Sequence, residues 1–187
     1  MNRKRLKQTR KKRQVAALIK ILSPILITFF ISPFWPLGPN PMPGDPFVIV
    51  NKSNNEMAFI DENKVQTVVS VGTGKTQELT PEGIFTITVK AKEPYFRKGN
   101  ISGGDPKNPL GARWIGFDAK GTDGRTYGIH GTNQPASIGK YVSQGCIRTQ
   151  NEVVTSLFPL IPLGTKVLVI SSKKSFEALG KDNGAIQ

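Results

Sequence analysis

The sequence predicts a mainly β domain, a sandwich or barrel with one short helix, preceded by an N-terminal transmembrane helix. Three features carry that reading. An apolar stretch of membrane-spanning length lies behind a basic N-terminus, short apolar runs alternate or cluster after residue 46, and 19 glycines with 14 prolines punctuate them. The 187 residues suffice for one ordinary domain with an appendage. At 37% hydrophobic and 21% charged, the composition supports a buried core and excludes a wholly disordered chain.

The formal charge of +13 is concentrated at the N-terminus, where nine of the 26 Lys and Arg residues precede the first acid, Asp45. From there on, 17 basic residues face 13 acidic ones. Residues 1–14 therefore read as a basic cytoplasmic tail. Between Val15 and Leu37 the only charge is Lys20, close enough to one end for its side chain to snorkel toward headgroups. At about 1.5 Å per residue this stretch crosses the hydrocarbon layer, with Trp35 where an interfacial aromatic belongs. Residues 15–37 are read as a transmembrane signal-anchor, which keeps the tail inside and delivers the rest of the chain to the extracytoplasmic side. A cleaved signal peptide is the rival reading, but Gly38-Pro39-Asn40-Pro41-Met42-Pro43-Gly44 offers no Ala-x-Ala-like site. A basic arm can also grip nucleic acid. The apolar span directly behind this one points to the membrane instead, and no nucleic-acid partner is expected. Residues 38–46, rich in Pro and Gly, read as a stiff, extended spacer.

The domain itself is expected over residues 47–170. Phe47-Val48-Ile49-Val50 and Met57-Ala58-Phe59-Ile60 are the first two strands, joined by a turn at Asn54-Asn55, because asparagine tolerates positive φ. Val65, Thr67, Val69 and Val71 fall on one face of a third strand, and Phe85, Ile87 and Val89 on one face of a fourth. Further strands are expected at Arg113–Phe117, Tyr127–His130 and Lys166–Ile170, the last apolar enough to be central and covered on both faces. A helix near residues 152–158 would be capped by Asn151, pack Val153, Val154, Leu157 and Phe158, and end at Pro159. The polar segment 171–187 is expected to be flexible.

The chain holds one cysteine and one histidine. That excludes an intramolecular disulfide framework, and the two alone cannot complete a Cys/His zinc site, so neither a metal nor a cofactor is expected. Taken singly, a lone Cys is most often a small buried hydrophobe and a lone His a satisfied structural residue. Their shared context argues otherwise. An imidazole can take the proton of a thiol whose ordinary pKa is about 8.5, giving the thiolate that is the nucleophile. Cys146 lies in Ser143-Gln144-Gly145-Cys146, where a glycine permits close backbone approach, and the Gly, Pro and Ser residues between His130 and Cys146 allow the chain to fold back until imidazole and sulfur meet at hydrogen-bonding distance.

His130-Gly131, followed after the intervening loop by Ser143-Gln144-Gly145-Cys146-Ile147-Arg148, resembles the L,D-transpeptidase catalytic domain, also called the YkuD domain. The resemblance runs over about residues 47–170. It takes in Val71-Gly72-Thr73-Gly74, Thr80-Pro81-Glu82-Gly83-Ile84-Phe85, Leu110-Gly111-Ala112-Arg113-Trp114-Ile115, Asn151-Glu152 and Leu163-Gly164-Thr165-Lys166-Val167. One departure is Gln144, where many members carry a histidine. It leaves acid–base work to His130.

The resemblance implies a ping-pong acyl transfer in the cell wall. Cys146 would attack a peptidoglycan stem tetrapeptide after its diamino acid, release D-alanine through a thioester and yield 3→3 cross-links. It implies His130 as general base, the Gly131 carbonyl as the group that orients the ring, and the N–H groups of Gly145 and Cys146 as oxyanion donors. Ser143 is a further substrate-binding candidate, and Tyr127, Trp114 and Tyr95 are candidates to line a groove for sugar or peptide, each with core packing as its alternative. Arg148 either holds a substrate carboxylate with its planar fork or forms a structural ion pair. The expected partners are stem peptides, the membrane through the N-terminal helix, and anionic wall polymers drawn by the surplus positive charge. Competing readings are an L,D-carboxypeptidase, a sortase-like cysteine transpeptidase, and a non-catalytic membrane-tethered wall-binding protein. Sortases place the histidine much further upstream and the arginine several residues after the cysteine, which fits this spacing poorly.

Overall fold

Strands that are apolar at every position require cover on both faces. The computed structural model, which describes residues 40–187, shows how that cover is supplied. Strands β1 (Phe47–Asn51), β2 (Glu56–Asp61), β3 (Lys64–Ser70), β5 (Gly83–Lys92), β6 (Arg113–Phe117), β7 (Tyr127–His130), β9 (Ile147–Arg148) and β10 (Lys166–Ile170) form one mixed sheet in the order β3-β2-β1-β10-β5-β6-β7-β9. Two short strands, β4 (Thr73–Gly74) and β8 (Tyr141–Ser143), pair separately and in parallel. The β1–β10 and β7–β9 pairs are also parallel, and the others antiparallel. The sheet curls until its ends approach. Gly72, just past β3, exchanges two backbone hydrogen bonds of 2.8 Å with Arg148 on β9.

One face of the sheet carries the main core. Val48, Val50, Met57, Phe59, Ile87, Ile115, Phe117, Ile129, Ile147, Val167 and Val169 pack there with Val154 and Leu157 of helix α1 (Asn151–Leu157). The opposite face of β1, β2 and β10 presents Phe47, Ile49, Ala58, Ile60 and Leu168. These are covered by Phe176 and Leu179 of helix α2 (Phe176–Asp182), with Ala185 and Ile186 beyond it. As expected, β10 is central and its three middle residues are buried. The Asn54-Asn55 turn forms, with Asn55 at φ 54°.

Several expectations are corrected. The segment 171–187 is not a flexible tail, because the continuous apolar runs of β1, β2 and β10 need a second lid and α2 is that lid. The Ser175 hydroxyl caps this helix by accepting from the Ala178 N–H at 3.2 Å. Residues 40–46 are not an extended spacer. They turn through a bond from the Asp45 N–H to the Met42 carbonyl, and are tied down by Asn40 Nδ2 on the Gly164 carbonyl (3.1 Å) and the Gly44 N–H on the Ala185 carbonyl (3.4 Å). A bulge between Ile87 and Val89 breaks the expected alternation in β5. Beyond it Lys90 points to the end of α1, donating to the carbonyls of Phe158 and Ile161. The expected transmembrane segment, residues 15–37, and the basic tail lie outside the described residues. Among those described, no helix is long and apolar enough to cross a membrane.

If α2 is the lid for β1, β2 and β10, Leu179→Ala should destabilise the domain by about 3 kcal/mol, the cost of emptying a buried leucine site. Urea unfolding of the two proteins measures this. A loss below about 0.5 kcal/mol would mean that the lid is dispensable.

Candidate active site

The fifteen residues between His130 and Cys146 fold back so that β9 lies parallel to β7, with Ile129 opposite Ile147 and His130 opposite Arg148. Side chains alternate along each strand. Ile129 and Ile147 enter the core, so His130 and Arg148 share the other face, and Cys146, two residues before Arg148, belongs to that same face. On β6, Trp114 is paired with His130 and stacks on it, with ring centroids 5.5 Å apart and an interplanar angle of 19°. Trp114 is itself buried and donates its indole N–H to the Gly124 carbonyl at 2.9 Å, so it backs the imidazole and does not line an open groove.

His130 is buried, and its Nδ1 lies 2.5 Å from the Gly131 carbonyl, the contact expected from the family pattern. A carbonyl only accepts, so Nδ1 carries the proton and Nε2 keeps its lone pair. Burial pulls the imidazole pKa down to about 4, opposed by the Gly131 and Leu110 carbonyls and reinforced by the Arg148 charge. Sequence reasoning missed what holds this carbonyl in place. Asn151 does not cap α1; the residue at that position is Gln150, whose side chain makes no capping bond. Instead Asn151 Oδ1 accepts from the Ala112 N–H at 2.9 Å while its Nδ2 donates to the Thr132 carbonyl at 3.1 Å, clamping the exit of β7. Gly131 is required beside it, since a Cβ there would sit 2.0 Å from Asn151 Oδ1.

Cys146 is half-buried, and its thiol donates to the Thr126 carbonyl at 3.4 Å. No thiol–imidazole hydrogen bond occurs among the described residues, contrary to the sequence expectation of direct contact. Burial pushes the thiol pKa up, while the Gly128 amide and the charges of Lys98 and Arg148 favour the thiolate. The preceding loop is tightly braced. The Ser143 hydroxyl accepts from the Gly145 N–H at 3.0 Å and donates to the Cys146 carbonyl at 2.6 Å. Gly145 has φ 128°, and a Cβ there would lie 2.4 Å from the Leu79 carbonyl oxygen.

Three expected substrate contacts are thereby reassigned. Ser143 is buried with its hydroxyl engaged on both sides, so it braces the loop, and the Gly145 N–H is taken up by that brace and is not free for an oxyanion. Tyr127 stacks on Phe117 at 6.4 Å and packs beneath Gly145, the core-packing alternative. Arg148 donates to Gln134 Oε1 at 3.1 Å and forms no ion pair among the described residues, which removes the structural ion-pair reading. Exposed Tyr95 donates to Asn100 Oδ1. Among the described residues no three His, Cys, Asp or Glu side chains cluster closely enough to hold a metal ion.

The family model described as the L,D-transpeptidase catalytic domain (YkuD) matches residues 45–169. The chain is 62% identical over 160 residues to "Putative L,D-transpeptidase YqjB" of Bacillus subtilis (strain 168), covering 86% of this chain and 91% of that protein. The NMR structure of the catalytic domain from the Enterococcus faecium L,D-transpeptidase shares the fold with a TM-score of 0.52 at 26% identity, over 67% of this chain and 97% of that one. A crystal structure of an E. faecium L,D-transpeptidase mutant gives 0.54 at 24% identity, over 68% of this chain and 50% of that one, so the match spans about half of the longer enzyme. With the family model matched over most of the chain and a relative 62% identical along nearly its whole length, the chain belongs to the L,D-transpeptidase (YkuD) family.

Proposed function

We propose that this chain is a cysteine L,D-transpeptidase that acts on peptidoglycan stem tetrapeptides, releases D-alanine and forms 3→3 cross-links, with residues 15–37 anchoring it to the membrane and the catalytic domain on the wall side. The observation that carries the reading is the parallel register of β7 and β9, which pairs His130 with Arg148, two residues past Cys146.

At neutral pH the resting pair is uncharged, since burial lowers the imidazole pKa to about 4 and raises that of the thiol. The proton therefore moves as the reaction proceeds. Cys146 Sγ attacks the carbonyl carbon of the diamino acid while its proton passes to His130 Nε2; the C–S bond forms and the carbonyl electron pair moves to oxygen. Collapse of the oxyanion breaks the C–N bond to D-alanine, whose amine leaves with the proton from His130. The amine of a second stem attacks the thioester, giving its proton to His130, and the sulfur departs and recovers that proton. The Gly131 carbonyl holds the ring so that Nε2 serves throughout. Arg148 and Lys98 favour the thiolate as it develops, and Arg148 has guanidinium donors left for a substrate carboxylate.

Cys146→Ala and Cys146→Ser should abolish acyl transfer with the fold retained. Intact-protein mass spectrometry with a tetrapeptide donor should show a thioester adduct on Cys146 of the wild type alone; an adduct on a serine would remove the mechanism.

His130 also makes stability depend on pH. Its folded pKa of about 4 lies below the ordinary 6.5, so between these values the unfolded chain binds the additional proton and stability rises with pH. The domain should lose up to about 3 kcal/mol through this residue as pH falls from 6.5 to 4. Comparing denaturation midpoints with those of His130→Gln isolates the effect, and parallel pH profiles for the two proteins would show that the folded imidazole titrates normally.

A further inference from the structure

Within the Gly145-Cys146 segment one amide remains to meet an oxyanion. The Gly145 N–H is held by Ser143, and the Cys146 N–H has no acceptor among the described residues. Its direction is fixed by its own peptide unit, because the C=O and N–H of a trans peptide point opposite ways. The oxygen of that unit, on Gly145, accepts from the Thr80 hydroxyl at 3.0 Å.

Thr80 is fully buried, and its hydroxyl has no freedom to turn. Its oxygen accepts from the Gly74 N–H at 2.9 Å, which directs its single proton to Gly145. The backbone behind it is pinned in turn. The Lys52 ammonium, 3% exposed, donates to the carbonyls of Thr80 (2.9 Å) and Gln77 (2.7 Å) and lies 3.1 Å from a Glu82 carboxylate oxygen. A buried ammonium with this many acceptors is a fixed point in the structure. The chain of contacts runs from Lys52 through Thr80 and the Gly145 carbonyl to the Cys146 N–H.

We propose that Thr80 is a positioning residue that aims the Cys146 N–H at the oxyanion of the acyl-transfer step, with Lys52 as its outer support. The inference rests on the transpeptidase reading above and deepens it. A merely structural role would disturb thiol alkylation and acylation together. An oxyanion-positioning role affects only acylation, because displacement of iodide from iodoacetamide develops no oxyanion.

The test uses the full chain and compares two rates at Cys146: thioester formation with a tetrapeptide donor, read by intact-protein mass spectrometry, and alkylation by iodoacetamide. Thr80→Val should acylate about 30-fold more slowly, somewhat less than the loss of an oxyanion donor outright. It should alkylate within about twofold of wild type, with folding checked by thermal melting. Thr80→Ser, which keeps the hydroxyl, should restore acylation to within about threefold. The proposal is overturned if Thr80→Val acylates at the wild-type rate, if both rates fall in parallel, or if a folded Thr80→Ser alkylates normally yet fails to acylate. Absence of any adduct on the wild type would instead remove the transpeptidase reading itself.

Discussion

Two residue pairs hold the candidate site together: Ile129 against Ile147, and His130 against Arg148. Because side chains alternate along a strand, burying the two isoleucines obliges the histidine, the arginine and the cysteine two residues before it to emerge on the other face. A slip of one residue between β7 and β9 would send the thiol face into the core. The register is therefore guarded from both sides. On one side Ile147 is fully buried; on the other, Gly72 bonds both backbone groups of Arg148, leaving β9 no free edge along which to slide. Gly72 is itself without alternatives, since a Cβ there would lie 2.7 Å from the Ser137 carbonyl oxygen.

The same packing sets the chemistry of the imidazole. Burial against Trp114 and beneath the loop that carries Leu110 removes water from His130, so its charged form is disfavoured, and Arg148 in the neighbouring strand adds to that bias. Around the sulfur the burial acts the other way on the thiolate, offset by Lys98, Arg148 and the Gly128 amide. Burial thus favours the neutral thiol and the neutral imidazole at rest, while the neighbouring cations favour negative charge on sulfur once it appears. Among the described residues no carboxylate stands behind the histidine; a main-chain carbonyl, clamped through Asn151, takes that place. A neutral orienting group leaves the imidazole a weaker base than an acidic one would, in keeping with its low pKa.

Most of the sheet was legible because its longer strands announce themselves. The alternation in β3 and the unbroken apolar runs of β1, β2 and β10 each follow from how many faces of a strand are buried. Those same runs imply a further element: strands apolar on both faces need two lids, and α1 covers only one. The second lid, α2, hides in a polar segment because only Phe176, Leu179, Ala185 and Ile186 touch the sheet. Strands β4, β8 and β9 span two or three residues and carry no period to detect. Val89 was misplaced because a bulge leaves no mark in an alternating pattern. At the candidate site, His130, Gly131 and Cys146 stand out in the sequence since the chain has one imidazole and one thiol, both within a motif that resembles the family's. The braces were not. Thr80, Lys52 and Asn151 come from loops and a helix end far along the chain, and nothing in their spacing signals that they converge.

The braces also decide how the gap between thiol and imidazole can close. The backbone on the cysteine side is fixed at Gly145 by Thr80 and Ser143 and at Arg148 by Gly72, and on the histidine side by Asn151 and by the Thr149 N–H, which donates to the His130 carbonyl at 2.9 Å. Neither strand has a hinge, and the imidazole is wedged between Trp114 and its own carbonyl contact. The thiol, by contrast, is held through its bond to the Thr126 carbonyl, the weak kind that sulfur makes. Rotation about the Cys146 side-chain torsion is a hop between staggered rotamers that leaves every backbone contact in place. In the proposed reaction the substrate carbonyl would meet a nucleophile that swings on a fixed mount, and the precision of the encounter would come from the mount.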